Sequence, residues 1–155
     1  MNNKVESFEL DHTKVNAPYI REAAVYTGPN NVKVTKYDIR FCQPNKEQLP
    51  IKAMHSIEHL LATAVREKLE GVIDLSPMGC LTGFYLTVFG HPELKEVKQK
   101  ILRAVDYAVS IPEVPAANEK QCGNYLLHDG EGAKEILVLF SKTMKDKRKH
   151  ELEGK

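Results

Sequence analysis

Val32-Lys33-Val34-Thr35-Lys36-Tyr37-Asp38-Ile39-Arg40-Phe41 alternates apolar and polar side chains, Val32 and Val34 against Lys33 and Thr35, then Tyr37, Ile39 and Phe41 against Asp38 and Arg40. A period of two marks a strand with one face on a core. Just upstream, Ile20 to Thr27 has strand character, and Gly28-Pro29-Asn30-Asn31 between the two is a strong turn signal. The pair reads as a hairpin. Downstream, Pro44 and Pro50 bracket a loop, and Pro50 is placed to open a helix that runs to about Glu70 and stops at Gly71. Val72 to Leu75 is a short strand, Ser76-Pro77-Met78-Gly79-Cys80 a loop, and Gly83 to Phe89 a further strand ended by Gly90-His91-Pro92.

Leu94, Val97, Ile101, Leu102, Val105 and Val109 recur at three and four, the spacing of one helical face. Pro112 and Pro115 enforce an irregular stretch through Gly123, and a last helix carries Ala133, Ile136, Leu137, Phe140 and Met144 on one side. Two strand pairs separated by a helix, followed by two helices, is an α+β order. Short strand connections make the sheet antiparallel. The expected architecture is a two-layer sandwich, a four-stranded antiparallel sheet with helices on one face, and the uncovered sheet face is a natural dimer surface.

At 155 residues the chain is expected to form one domain, 1–155. Its 42% apolar and 28% charged residues are those of a globular protein, which excludes a disordered or collagen-like chain. A formal charge of +1 gives no footprint for nucleic acid, and the basic run Lys142 to Lys149 lacks aromatic interleaving, so it reads as a solvated helix end. No apolar run reaches the length of a bilayer span, and Met1-Asn2-Asn3-Lys4 is too polar for a signal peptide. Three separated cysteines, Cys42, Cys80 and Cys122, argue against a disulfide framework and for the cytoplasm.

The chemistry lies in Met54-His55-Ser56-Ile57-Glu58-His59-Leu60-Leu61. With about 100° per residue and His55 as zero, His59 falls near +40° and Glu58 near −60°. Both imidazoles stand on one face, able to share an ion, with a carboxylate beside them to move protons. The spacing is H-x-x-E-H, an inverted zinc-peptidase motif. A merely exposed pair of histidines has the same spacing. A catalytic centre has three protein ligands and an open position. Cys122, in the polar turn Glu119-Lys120-Gln121-Cys122-Gly123-Asn124, is the best third ligand, although composition alone does not prefer it over Cys42 or Cys80. Cys80 follows a turn that can aim it into a cleft, where a thiolate beside a cation is a usable base. His12, His91 and His128 show no ligand spacing.

These strings, together with Val5-Glu6-Ser7-Phe8-Glu9-Leu10-Asp11-His12, Asp38-Ile39-Arg40-Phe41-Cys42-Gln43-Pro44-Asn45, Asp74-Leu75-Ser76-Pro77-Met78-Gly79-Cys80 and Pro115-Ala116-Ala117-Asn118-Glu119-Lys120-Gln121-Cys122-Gly123, resemble the S-ribosylhomocysteine lyases, the LuxS-type enzymes that make the autoinducer-2 precursor. Ser56 and Ile57 stand where Thr and Leu are expected, and Leu81 where a polar residue is commoner. The resemblance implies a homodimer with active sites at the subunit interface. It implies a divalent cation, natively Fe2+ with Zn2+ or Co2+ able to substitute, on His55, His59 and Cys122. Glu58 and Cys80 would be the proton-transfer pair, and Ser7, His12, Arg40 and Asp74 would hold the ribose and homocysteine parts of S-ribosylhomocysteine. Two carbonyl migrations along the sugar and a β-elimination would then release homocysteine. A metal hydrolase, with Glu58 activating water, and a structural metal site closed by a fourth protein ligand are the alternatives.

Overall fold

The computed structural model describes residues 4–154. In chain order its elements are α1 (Glu6–Glu9), β1 (Tyr19–Thr27), a 3-10 turn (Pro29–Asn31), β2 (Lys33–Arg40), α2 (Ile51–Lys68), β3 (Val72–Pro77), β4 (Gly83–Phe89), α3 (Leu94–Ser110) and α4 (Gly130–Glu153). The strands form one sheet in the order β1-β2-β4-β3, every pair antiparallel. The expected α+β sandwich is what the chain forms.

The hairpin turn carries Asn30 and Asn31 at φ 58° and 63°, a region asparagine enters more readily than most side chains. From there β2 keeps one inward phase. Thr35, Tyr37 and Ile39 are buried under the helices, opposite Val88, Leu86 and Phe84 of β4. Val34 therefore points away from the core, and the buried Thr35 satisfies its hydroxyl on the Gly90 carbonyl at 2.6 Å. The apolar pattern of the sequence changes phase at Lys36; the strand does not.

Helix α2 presents Ala53, Met54, Ile57, Leu60, Leu61, Ala64 and Val65 to the core, and each fully buried leucine or isoleucine contributes about 1.5–3 kcal/mol. Its neighbours α3 and α4 bury Val97, Ile101, Val105 and Ala133, Leu137, Phe140. With its inner arc committed to packing, α2 carries His55, Glu58 and His59 at the half-buried edge. Residues 111–129 form no helix or strand and run past that edge.

Three expectations change. A short helix, α1, forms at Glu6–Glu9, too short to leave a periodic signal. Strand β3 continues through Ser76 and Pro77, which the turn-forming residues of that stretch had suggested as loop. The sheet face away from the helices is not bare: Asp38 and Arg40 are buried there, and Arg21 ties β1 to Glu6 of α1 at 2.9 Å. No helix among the described residues is long and apolar enough to cross a membrane.

Candidate metal centre and substrate pocket

One helical turn separates His55 from His59, and the irregular segment supplies each ring with a backbone carbonyl. His55 Nδ1 lies 2.5 Å from the Leu127 oxygen and His59 Nδ1 2.7 Å from that of Pro115. A carbonyl only accepts, so both rings carry their proton on Nδ1 and turn an unprotonated Nε2 outward. Both lone pairs meet at Cys122, whose Sγ stands 3.5 Å from His55 Nε2 and 3.8 Å from His59 Nε2. For a tetrahedral ion with sulfur at about 2.3 Å and nitrogen at about 2.0 Å, the sulfur–nitrogen edge is about 3.5 Å. Two imidazoles and a thiolate at these separations fit a divalent cation.

The turn that delivers the sulfur is braced from within. Asn118 accepts the Cys122 N–H on its carbonyl at 3.0 Å and those of Lys120 and Gln121 on its side chain at 3.1 Å. The Asn124 N–H approaches Sγ at 3.5 Å. Of the three cysteines only Cys122 reaches the imidazoles. Cys42 is buried, and burial first, then Glu47, pushes its thiol pKa above the usual value.

His128 enters the cluster against expectation. Its Nε2 lies 3.7 Å from Cys122 Sγ, and the possible ligand atoms of His55, His59, Cys122 and His128 all fall within 4.8 Å of one another. Burial, then the neighbouring His55 and His59, pushes its pKa below the ordinary histidine value. The sequence gives no periodic clue to it, because it lies within an irregular segment. The usable signal is its place directly before Asp129, which caps α4 by accepting the Gly132 N–H at 2.9 Å. Glu58, half-buried, directly precedes His59 on α2, and no donor among the described residues engages its carboxylate.

His12, Arg40, Cys80 and Thr82 line a separate cavity of about 360 Å³ together with residues 44–48. Arg40 is held from below by Asp38, through Nε at 3.1 Å and Nη2 at 2.9 Å. Burial works against its charge, yet these bonds hold its pKa above the usual guanidinium value. The remaining nitrogen, Nη1, donates to Thr82 Oγ1 at 2.9 Å and points at Cys80 Sγ 4.0 Å away, while Thr82 Oγ1 is 2.9 Å from that sulfur. Cys80 is aimed by an unusual turn in which Leu81 adopts φ 64°. Gly83 follows because a Cβ there would overlap the Ile39 carbonyl oxygen of β2. His12 donates from Nδ1 to the Leu10 carbonyl at 2.9 Å and leaves Nε2 as an acceptor. Ser7 in α1 and Asp74 in β3, where it bonds Ser76, do not line this cavity. His91 pairs with Glu22 at 2.6 Å. None of the residues around this cavity belongs to the imidazole–thiol cluster.

Comparison with known proteins bears on this geometry. The family model described as S-ribosylhomocysteinase (LuxS) matches residues 5–151. A protein of Clostridium botulinum (strain Alaska E43 / Type E3) named S-ribosylhomocysteine lyase is 56% identical over 132 residues, 85% of this chain and 87% of that one. One of the same name from Clostridium perfringens (strain SM101 / Type A) is 55% identical over 131 residues, 84% of this chain and 87% of the relative. A third, from Clostridioides difficile (strain 630), is 50% identical over 144 residues, 93% of either chain. The match over nearly the whole chain and the identities of 50–56% show that this chain belongs to the S-ribosylhomocysteinase (LuxS) family.

Proposed function

We propose that residues 1–155 form one lyase domain that cleaves S-ribosylhomocysteine to homocysteine and 4,5-dihydroxy-2,3-pentanedione, the autoinducer-2 precursor. The observation that carries this reading is the convergence of His55, His59 and Cys122 on one point in a chain of this family. Fe2+ is the native ion, and Zn2+ or Co2+ can substitute because imidazole and thiolate accept all three. When bound, the cation is a Lewis acid that makes hydrogens beside the sugar carbonyl acidic.

The side chains do the rest. Cys80 takes the proton from C2 and returns it to C1, moving the carbonyl to C2; a second transfer, from C3 to C2, moves it to C3. Glu58 then removes the C4 proton, the C5–sulfur bond breaks, and the departing homocysteine sulfur receives a proton from the same carboxyl. Its freedom from other donors supports that role. Arg40 and Thr82 hold the Cys80 sulfur in place, and Asp38 keeps Arg40 from turning away. His12 offers an acceptor to the substrate, and Ser7 and Asp74 bind at its margins.

The active unit is a homodimer in which one copy's imidazole–thiol cluster meets the other's Cys80 pocket. Separate clusters support this, as do two apolar side chains left in water. Phe8, close to His12, is 80% exposed, and Leu126, inside the metal segment, is 76% exposed. Burying each in a dimer contributes about 1.5–3 kcal/mol. A cytoplasmic, thiol-reducing setting suits three free cysteines.

The test is product analysis on anaerobically purified protein. One thiol per molecule of S-ribosylhomocysteine, read with a thiol reagent, is the expected result; no thiol from the metal-loaded chain, or cleavage of a formyl or peptide amide instead, overturns it. A second reading, a closed structural metal site, is favoured by one observation, the fourth nitrogen that His128 brings to the cluster. It forecasts one firmly held ion and no turnover.

A further inference from the structure

We infer that His128 faces the metal centre as an N–H donor and not as a fourth ligand, and that the Ser56 hydroxyl fixes it in that role. The inference rests on the lyase reading, which needs an open corner on the cation. Ring geometry gives the first argument. An imidazole lone pair lies in the ring plane, so a ligated ion sits in that plane about 2 Å beyond the nitrogen. The planes of His55 and His59 cross at 88°, and one ion can lie in both. His55 and His128 instead stack, centres 3.9 Å apart and planes 19° apart. An ion in the plane of either ring is well out of the plane of the other. One of the two is no ligand.

The partners of Nδ1 decide which. His55 faces a carbonyl, so its Nε2 is bare. His128 Nδ1 faces the Ser56 hydroxyl at 3.0 Å. That oxygen already accepts the Asp129 backbone N–H at 2.8 Å, and no other acceptor for its proton exists among the described residues. Ser56 is completely buried, and an unpaired hydroxyl proton there would cost as much as a lost hydrogen bond. Ser56 therefore donates to Nδ1, and the His128 proton resides on Nε2, the atom 3.7 Å from Cys122 Sγ. An N–H cannot ligate. With His55, His59 and Cys122 holding a cation, His128 would stay free of it and would offer a donor to negative charge developing on a sugar oxygen beside the cluster, a contribution typically of about 10²–10³ in rate.

Nitrogen-15 spectra of the histidines in the zinc-loaded full chain read this directly. His55 and His59 are expected to be protonated on Nδ1 and metal-bound through Nε2, with His128 protonated on Nε2. A metal-bound Nε2 on His128 overturns the inference. His128→Ala should keep one equivalent of zinc and release thiol about 10²–10³-fold more slowly; loss of the zinc contradicts the donor role. Ser56→Ala should move the His128 proton toward Nδ1 and slow thiol release with zinc content unchanged, and Ser56→Thr should restore both. An unmoved proton with unchanged turnover in Ser56→Ala refutes the part given to Ser56. Expected tautomers in a wild-type chain that releases no thiol support the donor geometry and overturn the lyase reading alone.

Discussion

Asp38→Asn keeps the shape of a buried side chain and removes its charge. The carboxylate is wholly buried and accepts from Tyr19 Oη at 3.1 Å, Arg21 Nε at 2.8 Å, and Arg40 Nε and Nη2 at 3.1 and 2.9 Å. Arg21 keeps Glu6 and partial access to water. Arg40, 1% exposed, keeps Thr82, the Cys80 sulfur and the Tyr19 ring 5.9 Å away, with one neutral amide oxygen at position 38 in place of the carboxylate. Removing one partner of a buried ion pair costs about 3–5 kcal/mol, because the other charge is left without compensation. In a chain of this size each kcal/mol moves Tm by about 2–4 °C, so the expected fall is roughly 6–20 °C. Urea denaturation followed by circular dichroism measures the free energy, and metal content should stay at one equivalent because the ligands lie elsewhere. Arg40→Met in the Asp38→Asn background should recover at least half of the loss, since no charge is then stranded. A loss below about 1 kcal/mol, or a double variant as unstable as the two single changes added together, would refute the argument that Asp38 exists to hold Arg40.

Cys80→Ala and Glu58→Gln should each lower thiol release by about 10²–10⁴ with the metal retained; near-normal turnover in either removes that residue from the proton path. Cys122→Ala should lose metal and turnover together, and metal analysis showing full occupancy would reopen the third ligand. Gly83→Ala should cost about 1–3 kcal/mol in denaturant, since the new methyl meets backbone of β2 and not a movable side chain. Burial tends to raise the Asp106 carboxyl, but bonds from Lys145 and Ser141 at 2.7 Å outweigh it and hold the pKa below the usual value. A depressed folded pKa adds stability above the unfolded value of about 4 that is lost as pH falls through the folded one. Asp106→Asn should therefore narrow its deficit against wild type as acid denaturation curves descend from about pH 5 to about pH 2.

Periodicity carried the fold because each long element has an unambiguous partner surface. Gly83–Phe89 was readable to the residue, bounded by a glycine that the neighbouring strand demands and by Gly90. Lys33–Arg40 was readable as a strand but not in phase: Thr35 is buried because the Gly90 carbonyl satisfies it, a bond between residues far apart in sequence. In the site, helical geometry put His55 and His59 on one face, although a merely exposed pair has the same spacing. Cys122 needed the family resemblance, because three cysteines of equal standing are separated only by where an irregular segment folds. His128 escaped both routes, since its meaning depends on which atom faces Nδ1, a property of packing that spacing does not encode.

That irregular segment explains why the metal centre and the fold belong together. Residues 111–129 form no helix or strand; beside the packing of Ile111 and Val114 on the core, their polar footing on α2 is the Pro115 and Leu127 carbonyls on two imidazoles, the Cys122 sulfur between them, His128 on Ser56, and the Asp129 N–H shared by the Ser56 hydroxyl at 2.8 Å and the Lys52 carbonyl at 3.2 Å. Four of these five anchors involve the cluster itself. A cation that binds His55, His59 and Cys122 therefore clamps the segment to the helix, so binding free energy becomes local folding free energy. The same clamp sets Asp129 in position to cap α4, and it presents Leu126 outward at the surface proposed for the second subunit. A bound cation, the segment and the proposed dimer face would thus be linked through one set of contacts, and removing the ion should loosen all three together, while the sheet, packed on the far side of α2, stays folded.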